Sequence, residues 1–148
     1  LDLINYAVCS ALTKLCGKET AMNVFKLAGE IAFKELKKKI EMEGEPIATI
    51  SRIARYLEDV GYMAKINIER VSEKEIIVDM YGVSVFESSR RLVDEDLVPS
   101  HYMTNLMFAA LKEYGLKADI HHLAFEITKE GVDHVREKWT ISKDNNFK

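Results

Sequence analysis

The chain has no apolar run approaching the roughly 20 residues that a membrane-spanning helix requires, so a transmembrane segment is excluded. Positive charge is not in excess either. The 21 Lys and Arg residues stand against 24 Asp and Glu, a formal charge of −3. Without a broad cationic field, binding to nucleic acid or to an anionic membrane has no bulk electrostatic support. Glycine is scarce, at seven residues, and none falls in a phosphate-cradling loop. No CxxC pair, HExxH helix, GxSxG elbow or EF-hand loop occurs, which removes the chemistries those patterns announce. The opening LDLINYAVCSALTKL threads polar residues through its apolar ones and lacks a signal-peptide layout.

Cysteine is limited to Cys9 and Cys16. On a helix a seven-residue step rises roughly 10 Å, beyond the ~7 Å that a disulfide can span. Both thiols are expected to be free, and a cytoplasmic location is the expectation that follows. Both are read as inert, small apolar side chains. Glutamine is absent while Lys and Glu are plentiful, a bias common in thermophiles. What is present is ordinary: 47% hydrophobic and 30% charged residues over a length of 148. That composition suits a folded chain, and the length suffices for one core. One domain over 1–148 is expected, with a helical lead at 1–19 and a frayed tail at 142–148.

Periodicity supplies the elements. Ile4, Ala7, Val8, Ala11, Leu12 and Leu15 predict a first helix over 3–16, ended by Gly17. A longer helix is predicted from Thr20 to Glu43, with Phe25, Ala28, Ala32, Leu36 and Ile40 inward and Val24, Leu27 and Ile31 widening that stripe. Its lysine-rich end reads as a solvated, self-paired face. A third helix over 47–60 buries Ile50, Ile53, Ala54 and Leu57. The period then shortens to two, and YMAKINIERV and EIIVDMY predict an antiparallel hairpin. Val83, Val85 and Phe86 extend a strand into a mobile connection. Ser100 caps a fourth helix whose Met103, Leu106, Met107, Ala110 and Leu111 leave little of it wet. KADIHHLAFEIT and DHVREKWTI form a second hairpin. The predicted class is α+β, a largely antiparallel sheet with helices over one face.

Two candidate sites emerge. His101 at the mouth of the fourth helix, with His121 and His122 beyond it, could ligate a zinc or iron ion, because neutral imidazole suits such metals. Adjacent strand residues face opposite ways, so His121 and His122 could share an ion only across a bulge. The alternative is a set of edge histidines partnered by water or backbone. The second site is an apolar pocket between the fourth helix and the sheet. Its lining would be Phe25, Ile53, Leu57, Met103, Met107 and Phe125, with methionine supplying an adaptable wall.

The order of segments carries a resemblance. NVFKLAGEIAFKEL, ISRIARYLEDVGYMAKINIERVSEKEIIVDMYG and VPSHYMTNLMFAALKEYGLKADIHH precede a closing hairpin. Over roughly 20–141 the chain resembles the 4-vinyl reductase domain family of archaeal and bacterial small-molecule-binding proteins, and an archaeal stand-alone member in particular. The resemblance implies a fold shared with haem-nitric-oxide-binding domains and with tethering-complex (TRAPP) subunits. It also implies homodimerisation and an apolar ligand held between helices and sheet. Family members carry suspected metal-binding cysteines before the pocket helix, where this chain has His101, and in the final hairpin, which here offers His121, His122 and His134 and no cysteine. A thiolate site is thereby set aside and an imidazole site kept. The expected function is binding of a small hydrophobic molecule as a carrier or sensor. The alternatives are a His-ligated metal-dependent enzyme on a small substrate, and a protein-assembly module.

Overall fold

The computed structural model describes residues 1–146. Its elements run α1 (Asp2–Cys16), α2 (Lys18–Leu36), α3 (Pro46–Asp59), β1 (Lys65–Ser72), β2 (Glu75–Tyr81), α4 (Phe86–Asp94), α5 (Tyr102–Lys112), β3 (Leu116–Ile127) and β4 (Asp133–Lys143). The four strands form one antiparallel sheet in the order β1-β2-β4-β3. Alternation decides its two faces. Ile66, Ile76, Val78, Met80, Val135, Trp139 and Ile141 point inward and are buried, while Asp79, His134 and Arg136 lie on the other side. α3 and α5 cover the inner face with Ile50, Ile53, Leu57, Met107 and Leu111. This is the α+β arrangement that the periodicity predicts.

α5 lies against α2 at close range. A Cβ on Gly29 would come within 2.7 Å of the Asn105 backbone, so only glycine allows the two helices this near approach. A smaller core of Cys9, Ala21, Phe25, Leu92 and Val98 joins α1, α2, α4 and the segment before α5.

Four local expectations are corrected. α2 ends at Leu36 instead of Glu43. Lysines crowd the positions from Lys34 to Lys39, and cations are favoured at a helix C-terminus, so the run marks an end. Residues 86–94 form a helix and not an extended, mobile connection. The Arg and Glu pairs there are helical partners, Arg90 with Glu87 and Arg91 with Glu95. α1 buries Cys9, Ser10 and Thr13, and turns Ile4, Val8 and Leu15 to solvent. Its inner face is held by hydrogen bonds: the Asn5 amide donates to Ser88 Oγ at 2.8 Å and the Val98 N–H donates to Thr13 Oγ1 at 3.2 Å. Those directional contacts, together with Cys9 in the smaller core, orient the helix against its apolar stripe. The tail is ordered further than expected, since β4 continues to Lys143 and the Asp144 N–H donates to Gly115 O at 2.9 Å. Positions 147 and 148 of the expected frayed tail lie outside the described residues.

Candidate functional site

The segment from α4 to α5 sets the site. Asp96, at φ 58°, turns the chain out of α4, and the Leu97 N–H donates back to Leu92 O at 2.8 Å. Val98 then enters the small core and Pro99 carries the chain to α5. His101, not Ser100, is the N-cap of α5, in the left-handed region at φ 43° and ψ 40°. Ser100 instead receives, through its carbonyl oxygen, a 2.9 Å hydrogen bond from the Asn105 amide. A left-handed backbone is uncommon for a residue with a side chain and concentrates at functional sites. Here the surrounding hydrogen bonds impose it, including Asn105 N–H to His101 O at 2.7 Å.

This turn brings the His101 imidazole over the sheet, with Nδ1 3.7 Å from Oε2 of Glu137. Glu137 is 1% exposed. Its Oε1 accepts from Thr104 Oγ1 at 2.7 Å and from Trp139 Nε1 at 2.9 Å. Both donors are neutral, and the carboxyl sits beneath the N-terminus of α5, where helix N–H groups favour negative charge. Burial pushes the His101 imidazole below its ordinary value, and the Glu137 carboxylate pulls it the other way with less effect. Burial thus favours the neutral imidazole, the form whose free ring nitrogen can donate to a metal ion.

His101 stands between two spaces. On one side a cleft of about 490 Å³ opens between α2, the 96–101 segment, α5 and β3. Phe25, Leu97, Val98, Phe108, Ile120 and Leu123 supply its apolar walls. Phe108 is braced edge-on against Trp139, with ring centroids 4.8 Å apart. Lys26, Asp119, His121 and His122 lie at its polar margin, beside the Lys18–Asp96 ion pair. On the other side is a cavity of about 50 Å³ bordered by Met103, Phe125 and Glu137.

The structure distributes the sequence-predicted residues across these spaces and the core. Phe25 lines the cleft, and Met103 and Phe125 line the small cavity. Ile53, Leu57 and Met107 are packed in the main core with at most 1% exposure and border neither space. His101, His121 and His122 all border the cleft. The strand register shifts between Ile120 and His122, the kind of irregularity that two neighbouring histidines need to share one side. His121 also approaches Glu75, Nε2 to Oε2 at 3.7 Å. Among the described residues no group of three or more His, Cys, Asp or Glu side chains is placed to hold a metal ion. Both cysteines are free: Cys9 is buried, with its thiol pushed up by burial, and Cys16 is exposed.

Sequence reasoning missed Glu137. The signal was present, because Val135, Trp139 and Ile141 share its parity and an acid in that phase of β4 must enter the core.

No family model matches the chain, and no curated protein sequence matches it significantly. Solved structures do. One is an H-NOX structure determined to examine H-NOX activation, with a TM-score of 0.55 at 10% identity, covering 89% of this chain and 68% of that one. The Fe(II) unliganded H-NOX protein from K. algicida gives 0.53 at 12% identity, covering 94% and 70%. A Cs H-NOX bearing 4-cyano-L-phenylalanine gives 0.53 at 10% identity, covering 83% of this chain. The fold is H-NOX-like. The chain spans 64% of the length of that Cs H-NOX chain, and identities this low speak for the fold alone. Among the described residues, no helix is long and apolar enough to cross a membrane.

Proposed function

We propose that this chain is one ligand-binding domain, a carrier or sensor that takes a small, largely apolar molecule into the cleft beside His101. The observation that carries the reading is the cleft itself. Its volume of about 490 Å³ falls within the ~300–1,000 Å³ range of small-molecule sites, and apolar walls with a few converging polar groups are their usual make-up. The H-NOX-like fold and the 4-vinyl reductase resemblance support the same reading, and a cytoplasmic setting accords with the free thiols. Native mass spectrometry of freshly isolated protein, with titration of an apolar fluorescent dye, tests it. Saturable dye binding in wild type that is lost in Leu123→Trp, which fills the cleft, is the expected result. Dye binding unchanged by that substitution overturns the assignment.

One observation favours a haem or iron ligand as the specific guest. A metal-bound imidazole commonly directs its other nitrogen at a carboxylate, and His101 has Nδ1 toward Glu137. Nε2 is thereby left for iron, and a single axial imidazole suffices for haem. Solved H-NOX neighbours include one in which heme distortion was probed. The residues present fit such a group: His101 would hold the iron and Phe25, Phe108 and Leu123 would flank the macrocycle. Bound haem would supply an iron centre able to take a diatomic or other small ligand. The chain's own part is to keep His101 neutral, orient it through Glu137 and exclude water with the apolar walls. Hemin titration followed by absorbance tests this, with a Soret shift expected in wild type and lost in His101→Ala. A non-haem metal enzyme would instead require stoichiometric zinc or iron in metal analysis of the untagged protein.

A further inference from the structure

The small cavity beside His101 is bordered by a buried acid with one oxygen left over. Glu137 is 1% exposed, and both of its donors, Thr104 Oγ1 and Trp139 Nε1, go to the same oxygen, Oε1. Among the described residues no hydrogen bond reaches Oε2, and His101 Nδ1 stands off from it at 3.7 Å. A buried carboxylate oxygen without a donor is uncommon and costly. Much of the remaining wall is apolar, with Met80, Val83, Phe86 and Val135 all buried. The volume of about 50 Å³ has room for roughly three or four water-sized atoms. Water alone fills it poorly, because a buried water makes about three hydrogen bonds and the apolar wall offers none.

We propose that this cavity is a subsite for an aliphatic hydroxyl group, selected by Glu137, with about three carbons of the same molecule against the apolar wall. The 3.7 Å between Oε2 and Nδ1 lets one oxygen stand within hydrogen-bond reach of both. A hydroxyl there donates its proton to Oε2 and accepts one from the imidazole N–H. A ketone oxygen in the same place would face Oε2 with no proton between them. The hydroxyl belongs to a free small alcohol or to the end of the molecule held in the cleft, since His101 and Leu123 border both spaces. The second source rests on the cleft reading, and the first does not.

The chain has one tryptophan, and its indole N–H donates to Glu137, so that resonance reports the subsite in NMR titrations of isotope-labelled protein. The probes are isopropanol and acetone, alike in size and different in hydrogen bonding. In wild type a saturable indole shift is expected with isopropanol at millimolar concentration, with about tenfold tighter binding than acetone. Glu137→Gln turns an amide N–H toward the cavity, so the preference is expected to reverse toward acetone, which the loss of a merely structural acid would not cause. Ser89→Leu fills the cavity from α4 without bordering the cleft. It is expected to abolish the indole response while the cleft still binds dye, and it carries the test should Glu137→Gln not fold. Octanol separates the sources. An indole shift together with dye displacement marks the end of a cleft ligand, whereas an isopropanol shift with the dye in place marks a free small alcohol. No saturable indole shift with either alcohol overturns the proposal, and leaves the cleft reading standing where the dye still binds. Equal responses to isopropanol and acetone in both wild type and Glu137→Gln also overturn it, leaving a water-filled cavity beside a structural acid.

Discussion

Glu137 and Asp79 sit on adjacent strands of the same sheet, one on each face. In register, Val78 pairs with Glu137 and Asp79 with Arg136, so the two acids are near neighbours with opposite surroundings. On the outer face Asp79 is met by a guanidinium and by an imidazole ring. Arg136 grips both of its oxygens, at 2.8 and 3.1 Å, and His134 Nε2 lies 2.6 Å from Oδ1 while stacking on Tyr81. On the inner face Glu137 has only the neutral donors Thr104 and Trp139, and its second oxygen is left to His101 at 3.7 Å. The outer arrangement explains itself as a cross-strand staple. The inner one does not, since an apolar residue there would complete the core at lower cost. This buried acid with neutral donors borders the small cavity and faces His101, which also borders the cleft.

The largest test attacks the contact that holds α5 over Glu137. Gly29→Ala would drive a Cβ into the Asn105 backbone, and neither helix can shift without moving His101. A loss of about 3 kcal/mol is expected in denaturant unfolding, together with loss of dye binding in the cleft. Loss of stability with binding intact would mean that the α2–α5 contact does not set the site.

Next comes the inner acid. Glu137→Ala leaves Thr104 and Trp139 without their acceptor, and a cost of about 2 kcal/mol is expected. Glu137→Gln keeps an acceptor for them and should cost about 1 kcal/mol. The comparison sharpens in binding. Glu137→Gln is expected to weaken ligand capture more than its stability loss accounts for, because His101 loses its orienting carboxylate. Equal ligand affinity in Glu137→Gln and wild type would reduce Glu137 to a structural acid.

Much of the fold was legible because burial on one face imposes a period. The β1–β2 and β3–β4 hairpins and the inward set of α3 follow from spacing alone. α1 misled for a physical reason: its apolar stripe is real but faces outward, and its inner side is fixed by Asn5, Thr13 and Cys9, whose partners are remote in sequence. α4 was missed because nine residues with Phe86 and Leu92 buried give too short a sample to separate periods of two and 3.6. At the site, the sequence could nominate His101, His121 and His122. It could not show the left-handed turn that sets His101 at the cleft, or the register shift at His121 that leaves both strand histidines in the outer-face phase, at the rim of the cleft. Glu137 required reading parity as a rule for acids as well as for apolar residues.

The smallest effect belongs to the outer acid, and pH separates it from the inner one. Burial alone would raise the Asp79 carboxyl, but hydrogen bonds from Arg136 and His134 outweigh burial and hold it below the usual carboxylate range. A carboxyl lowered on folding binds fewer protons in the native state than in the unfolded chain. Its contribution is therefore complete above the ordinary carboxylate pKa and is lost as pH falls through the lowered native value. Arg136 is substantially exposed, so solvent screens the pair and the contribution should stay below about 1 kcal/mol. Asp79→Asn is expected to lower stability by that amount at neutral pH and by progressively less toward strong acid, with the cleft's dye affinity unchanged throughout. Urea unfolding of both proteins across the acid range checks the first part. If Asp79→Asn instead shifted ligand affinity as Glu137→Gln does, the two faces of the sheet would be coupled, and the contrast between a staple and a site would fail.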